Sequence, residues 1–361
     1  MVYWSDIYGA ANESGDVMGK GKDRVFLKGM SSAEYGLKDF RAAQLAAPRV
    51  RNDEIVVDDA SVGHSGDSKD SRTWWRIGPG DDPFLTQTLQ VHFVEIPAGK
   101  ANHGHGHQNE AAFFILQGKG YEIHDDQRYP WTAGDLVYVH TDSVHRHFND
   151  GDEAAVALVM KAKSTWMYFG LIQQGRSGPV TDEERFGPRE DWSQIWTEGV
   201  ADRKKVVSSG DMSWEDTPDG RVRVLAAPHL DDQRIFSVDV YQQEVPPGGR
   251  SGKHWHMADE VLYVLSGSGE SLHWEVEAEI AEKYYARIAK EPSSHQFTKG
   301  DTIYVPQNTV HQHVNTSDSE PLLLLSVRNR LFRWLGYDRT VVLEPASQPA
   351  TVGSGALAGS G

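Results

Sequence analysis

From Thr86 to Gly170 the chain alternates short apolar runs with Gly and Pro punctuation. Gln90–Ile96, Ala112–Leu116, Leu136–Val139 and Ala155–Val159 are rich in Val, Ile, Phe and Tyr. Evenly spaced runs of this kind predict short antiparallel strands closing into a sandwich or barrel. The pattern fades over polar residues 171–231 and returns from about Gln233 to Gly336. The expectation is an all-β chain with domains at 86–170 and 232–338. Residues 1–85 read as an irregular arm, with a helix over Ser31–Ala47 capped by Ser31 or Ser32 and a Gly-, Ser- and Asp-rich loop at His64–Arg72. Trp74 and Trp75 read as core or interface packing. The connector 171–231 holds a short helix over Ser193–Val200, and residues 339–361 form a flexible tail.

The second apolar block repeats the first. At an offset of 149 residues, Glu95-Ile96-Pro97 matches Glu244-Val245-Pro246, His105 and His107 match His254 and His256, and Phe113–Gly120 matches Leu262–Gly269. Later the offset is 166, pairing Gly134–Val139 with Gly300–Val305 and Val144–Asn149 with Val310–Asn315. The difference of 17 residues places one insertion within Glu275–Thr298, a charged stretch expected to be partly helical at the surface. Internal repetition on this scale marks two copies of one unit.

Each copy carries histidines at strand spacing. Side chains alternate faces along a strand, so His254 and His256 point the same way. Glu260 keeps that parity if the strand continues, and His311 can join from a neighbouring strand. Three imidazoles and one carboxylate suit a divalent Fe, Mn, Ni, Cu or Zn ion. The first copy offers His105, His107 and His145, but Ala111 stands where the second has Glu260. Glu110 precedes that position; parity turns it to the other face, the alternative being that it swings in as a carboxylate ligand. His313 and His147, two residues past His311 and His145, read either as proton-transfer or ligand-orienting groups or as core histidines held by backbone carbonyls. His64, His92, His124, His140, His229, His273 and His295 fall outside the ligand positions and read as surface or structural.

Composition narrows the chemistry. With 36 Lys and Arg against 52 Asp and Glu, the net charge of −16 argues against nucleic acid or an anionic membrane as partner. There is no cysteine, so thiolate nucleophiles, zinc fingers and iron–sulfur clusters are excluded together. No apolar run reaches a membrane span, and residues 1–10 lack the pattern of a signal peptide, which makes a cytoplasmic protein the expectation.

The two histidine sets, with the glycines Gly99 and Gly248 that open the first motif and the Gly-Asp-x-x-Tyr-Val runs that open the second, resemble the paired motifs of the cupin superfamily. Two copies resemble a bicupin, which implies two double-stranded β-helix (jelly-roll) barrels with metal in the barrel mouth. The first copy departs from the motif at His140, where proline is usual, whereas the second keeps Pro306. His105-Gly106-His107-Gln108-Asn109-Glu110-Ala111 resembles the gentisate 1,2-dioxygenase group, which implies iron on His105, His107 and His145. That group carries an Arg where this chain has Phe113. The full set His254, His256, Glu260 and His311 resembles the large subunit of the two-component hydroquinone 1,2-dioxygenases, although one ligand of that family is not histidine. The resemblance implies an Fe(II)-dependent ring-cleaving dioxygenase of extradiol or gentisate-like type, taking O2 and a small hydroxylated aromatic such as a hydroquinone. It also implies a homo-oligomer, with a smaller second subunit as a further partner. Two rivals are an oxalate-decarboxylase-like Mn(II) bicupin and a non-catalytic, metal-stabilised bicupin.

Overall fold

The computed structural model describes residues 45–51, 71–77 and 88–347, apart from 103, 125, 142, 170, 172, 173, 177–181, 183 and 191–201. Most of the helix expected over 31–47, residues 64–70 of the loop expected at 64–72 and the helix expected over 193–200 lie outside the described residues; Arg72, at the end of that loop, instead opens a strand. Strands β1 (Val50–Arg51) and β2 (Arg72–Ile77) come first in the chain, and β2 joins the first barrel. Its strands are β3 (Gln90–Ile96), β4 (His105–His107), β5 (Ala111–Gln117), β6 (Lys119–His124), β7 (Gln127–Thr132), β8 (Asp135–Val139), β9 (Ser143–Asn149) and β10 (Ala155–Lys161). The connection holds α1 (Lys163–Tyr168), β11 (Gln174–Arg176), β12 (Val206–Ser208), β13 (Trp214–Thr217) and β14 (Gly220–Ala226). The second barrel comprises β15 (Val238–Val245), β16 (Lys253–Trp255), β17 (Glu260–Ser266), β18 (Ser268–Ile280), β19 (Tyr284–Ile288), β20 (Ser293–Thr298), β21 (Thr302–Val305), β22 (Thr309–Asn315) and β23 (Leu322–Asn329). A single turn, α2 (Leu331–Trp334), and β24 (Val341–Glu344) follow.

Each barrel is two antiparallel sheets face to face. In the first, β12-β8-β5-β10-β3-β2 opposes β11-β4-β9-β6-β7. In the second, β1-β21-β17-β23-β15-β14-β13 opposes β19-β18-β22-β16-β24, with β20 also on β18. Alternation explains the layering, because inward residues such as Leu262, Val264, Ile303, Val305 and Leu324 fill the second interior while their neighbours face outward. The outer faces of the two large sheets meet. Phe93, Ala112, Phe114, Leu136, Tyr138 and Leu158 of the first pack with Val238, Val240, Val261, Tyr304, Leu325 and Val327 of the second in one apolar cluster.

Two short strands cross between the barrels. β1 precedes the first barrel in sequence yet pairs with β21 of the second, and β12 pairs with β8 of the first. The contact is sealed by carboxylates at repeat-equivalent positions. Glu110 is fully buried and accepts the backbone N–H groups of Phe236 and Ser237, each at 2.8 Å to Oε2. Asp259 accepts the hydroxyl of Thr88, the repeat equivalent of Ser237. The other-face assignment of Glu110 is thus met by a function in the barrel–barrel contact.

The insertion differs from expectation. It is not helical but extends the hairpin of β18 with β19, from Val276 opposite Ile288 to Ile280 opposite Tyr284. β-branched and aromatic residues at alternate positions favour a strand over the helix suggested by its charges. No helix among the described residues is long and apolar enough to cross a membrane.

Candidate metal centre

In the second barrel, His254 on β16 lies opposite His311 on β22, and β22 in turn pairs with β18. His256 follows β16, and Glu260 opens β17. The four donor groups lie within 4.8 Å of one another, all buried. Each imidazole is anchored through Nδ1. His256 Nδ1 contacts the carbonyl of Ala258 at 2.8 Å, and His311 Nδ1 contacts that of Thr309 at 3.0 Å. His254 Nδ1 lies 2.8 Å from Asp219 Oδ1 and 3.2 Å from the carbonyl of Gly252. A proton held at Nδ1 leaves the lone pair at Nε2 for a ligand, the arrangement that metal-binding histidines require. Glu260 Oε2 stands 3.0 Å from His256 Nε2 and 3.2 Å from His311 Nε2. Nε2 of His254 is buried with no hydrogen-bond partner among the described residues.

The electrostatics match that donor set. Burial opposes charge on Glu260, but the Arg328 guanidinium and the two imidazoles hold its carboxyl well below the ordinary range. Burial, helped by Arg328, pushes His256 down to about 3. His254 goes the other way: burial disfavours its charge, but the Asp219 carboxylate outweighs this and raises it. Three lone pairs, one of them on an orphaned buried nitrogen, and one anion fit a divalent cation.

His313 shares the inward face of His311, and its Nδ1 lies 3.1 Å from Ser271 Oγ. Ser271 also contacts His273 Nε2 at 2.9 Å. Burial, with His311 beside it, pushes His313 down to about 3, so it is neutral at ordinary pH.

The first barrel repeats the plan on its backbone. His105 on β4 pairs with His145 on β9, as His254 does with His311. The rings of His107 and His145 are 4.9 Å apart, and those of His145 and His147 5.2 Å. His107 Nδ1 meets the carbonyl of Asn109 at 2.5 Å. Only the strand position of His105 is described. His147 Nδ1 lies 3.2 Å from Glu122 Oε2, both buried. Ala111 leaves this barrel with no carboxylate at the position of Glu260.

Sequence reasoning missed Asp219, Tyr241, Ser326 and Arg328 around the second set, and Glu122 in the first. Of the histidines read as surface or structural, His92, His124, His140 and His273 are buried. His124 and His273 are repeat equivalents, a signal the sequence did contain.

A cavity of about 470 Å³ reaches the second set at His256. Tyr241, His256 and Arg328 lie on its wall, with Val224, Ala226, Pro228 and Phe332 as apolar lining and His229, Arg333 and Asp338 among its polar lining. Among the described residues, a small cavity of about 20 Å³ lies beside His147, between Phe113, Ile115, Trp131 and Val137.

Cupin family models match twice: the cupin domain model over residues 92–161 and the cupin model over residues 216–331. The chain is a bicupin of the cupin superfamily. The bicupin is 24% identical over 298 residues to 1-hydroxy-2-naphthoate 1,2-dioxygenase of Nocardioides sp. strain KP7, covering 76% of this chain and 73% of that protein. Its fold is similar to the crystal structure of a salicylate 1,2-dioxygenase from Pseudaminobacter salicylatoxidans, at a TM-score of 0.56 and 12% identity, covering 75% of this chain and 80% of that one. It is also similar to a variant of oxalate decarboxylase from Bacillus subtilis, at a TM-score of 0.51 and 16% identity, covering 78% of both chains.

Proposed function

We propose that the bicupin is an Fe(II)-dependent ring-cleaving dioxygenase whose reaction centre is the second barrel. One observation carries this reading: His254, His256, Glu260 and His311 converge beside a cavity large enough for an aromatic substrate. The similarity to a naphthoate dioxygenase supports the reaction class. His254, His256, Glu260 and His311 would hold the iron, which supplies the redox chemistry that lets an electron-rich ring react with O2.

The chain's own residues do the rest. Val224, Ala226, Pro228 and Phe332 offer an apolar bed for a flat ring. The Tyr241 hydroxyl and the Arg328 guanidinium set the polar wall that a ring hydroxyl meets. His313, neutral and tied to Ser271, is suited to orient its neighbours rather than to store a proton. Both atoms of O2 enter the product as one ring C–C bond breaks, so no external reductant is needed.

A hydroquinone or a related diphenol fits this apolar bed. A second substrate reading has its own support: Arg333 and His229 in the cavity lining suit an arene that also bears a carboxylate. In the first barrel His105, His107 and His145 would hold a second metal, with His147 beside it.

The test is O2 uptake by iron-loaded, anaerobically protected protein with diphenols and with hydroxyaryl carboxylates. Consumption with neither set would overturn the proposal. Elemental analysis beside His311→Ala and His145→Ala variants locates the metal. Iron lost mainly with His311 supports the second barrel, and iron lost mainly with His145 moves the chemistry to the first. Manganese with CO2 release from oxalate would replace this reading by a decarboxylase.

A further inference from the structure

Glu260 is a carboxylate with two differently employed oxygens. Oε2 faces His256 and His311 at 3.0 and 3.2 Å. Oε1 accepts hydrogen bonds from the Tyr241 hydroxyl at 2.6 Å and from the Ser326 hydroxyl, and the Arg328 guanidinium stands 3.4 Å away. Arg328 donates in turn to the Tyr241 hydroxyl and to Thr340 Oγ1, the latter at 3.3 Å. The donors come from β15 and β23, which pair with each other at Tyr241 and Ser326, and β23 pairs with β17 at Arg328 and Glu260. A carboxylate free to turn about its terminal torsion could present both oxygens to a cation. Donors fixed on neighbouring strands on one side of Oε1 remove that freedom.

The first barrel serves as an internal comparison, because the same strands pair in the same registers. His92 lies opposite Val159 as Tyr241 lies opposite Ser326, and Gln90 opposite Lys161 as Asp239 opposite Arg328. Ala111 occupies the place of Glu260. Where the carboxylate is missing, the serine hydroxyl is replaced by the methyls of Val159, the phenol by the His92 imidazole and the guanidinium by the Lys161 amine. The four positions differ together.

We propose that Tyr241, Ser326 and Arg328 are positioning residues that hold Glu260 as a one-oxygen ligand, keeping Oε1 and presenting Oε2 alone to the metal. The consequence is economy of coordination. A one-oxygen carboxylate with three imidazoles fills four positions of a six-coordinate ion, leaving two for substrate and O2, whereas a two-oxygen carboxylate would leave one. Tyr241 and Arg328 also line the 470 Å³ cavity, so the clamp is the wall between substrate space and ligand.

This inference rests on the second barrel being a metal site, and the experiment separates the two. Full-length protein carrying His145→Ala, which disables the first set, is titrated with Co(II) against a chelator, and its visible spectrum is recorded. Adding His311→Ala should abolish binding; binding that survives would refute the site itself. Tyr241→Phe and Ser326→Ala, each a loss of one hydroxyl, should weaken Co(II) roughly 10- to 100-fold. They should also shift the visible bands, as a freed Oε1 takes a position that water otherwise fills. Arg328→Lys should retain more affinity than Arg328→Met. A Tyr241→Phe, Ser326→Ala double variant with unchanged affinity and spectrum, while His311→Ala abolishes binding, would overturn the clamp and leave the site standing.

Discussion

Asp219 carries the clearest single-residue consequence. Its carboxylate raises His254 while His256 is driven to about 3 and Glu260 stays ionised well into acid. As pH falls through the raised value, His254 takes a second proton at Nε2 and would compete with a metal in the proposed site, while His256, Glu260 and His311 stay in their metal-binding protonation states. In that site His254 is the residue through which acid would release the ion. In Asp219→Asn the raised value is lost, so release should move to lower pH. At pH 8, by contrast, affinity should fall by roughly tenfold or more as the imidazole loses its anchoring carboxylate. Chelator competition across pH checks both arms, and an unmoved midpoint would remove Asp219 from this role. The clustering of the candidate donors was legible in sequence, because His254, His256 and His311 obey strand parity and repeat with His105, His107 and His145. Asp219, Tyr241, Ser326 and Arg328 were not. They come from β15, β23 and the turn between β13 and β14, and no local spacing links them to the histidines they serve.

Among the elements, the hairpin of β18 and β19 shows where local pattern misled. Its charges suggested a surface helix, yet Glu277 and Glu279 lie on one face and Ala278 and Ile280 on the other, which is a two-residue period. The site-bearing part of β18, Ser271 and His273, lies inside the barrel where β20 and β22 flank it. Deleting residues 277–287 with a two-residue turn in their place should therefore leave metal content and affinity unchanged, as elemental analysis and Co(II) titration would show. Gly269 is the opposite case. A Cβ there would run into the carbonyl of Val314 and lie 2.7 Å from the Phe297 ring. Gly269→Ala should cost about 1–3 kcal/mol, read as a lowered unfolding midpoint, because strand and core must shift to admit one methyl.

At the scale of the whole molecule, two barrels were visible in the repeat, but their mutual dependence was not. Contacts such as Glu110 with Phe236 and Ser237 join residues more than a hundred positions apart, and no periodicity reports them. Glu110→Ala would strand two N–H groups in the contact between barrels, at a cost of about 2–4 kcal/mol. Because Phe114, Tyr138, Val240 and Tyr304 share one cluster, calorimetry should show a single lowered transition. Separate transitions for the two halves would argue against that coupling. The crossed strands have a consequence for synthesis. The edge of β8 waits for Val206–Ser208, so a nascent chain that has released only its first 170 residues holds an unfinished sheet. Its first barrel is closed by the part that leads into the second, and a gene cut between the halves would yield two sticky fragments rather than two proteins.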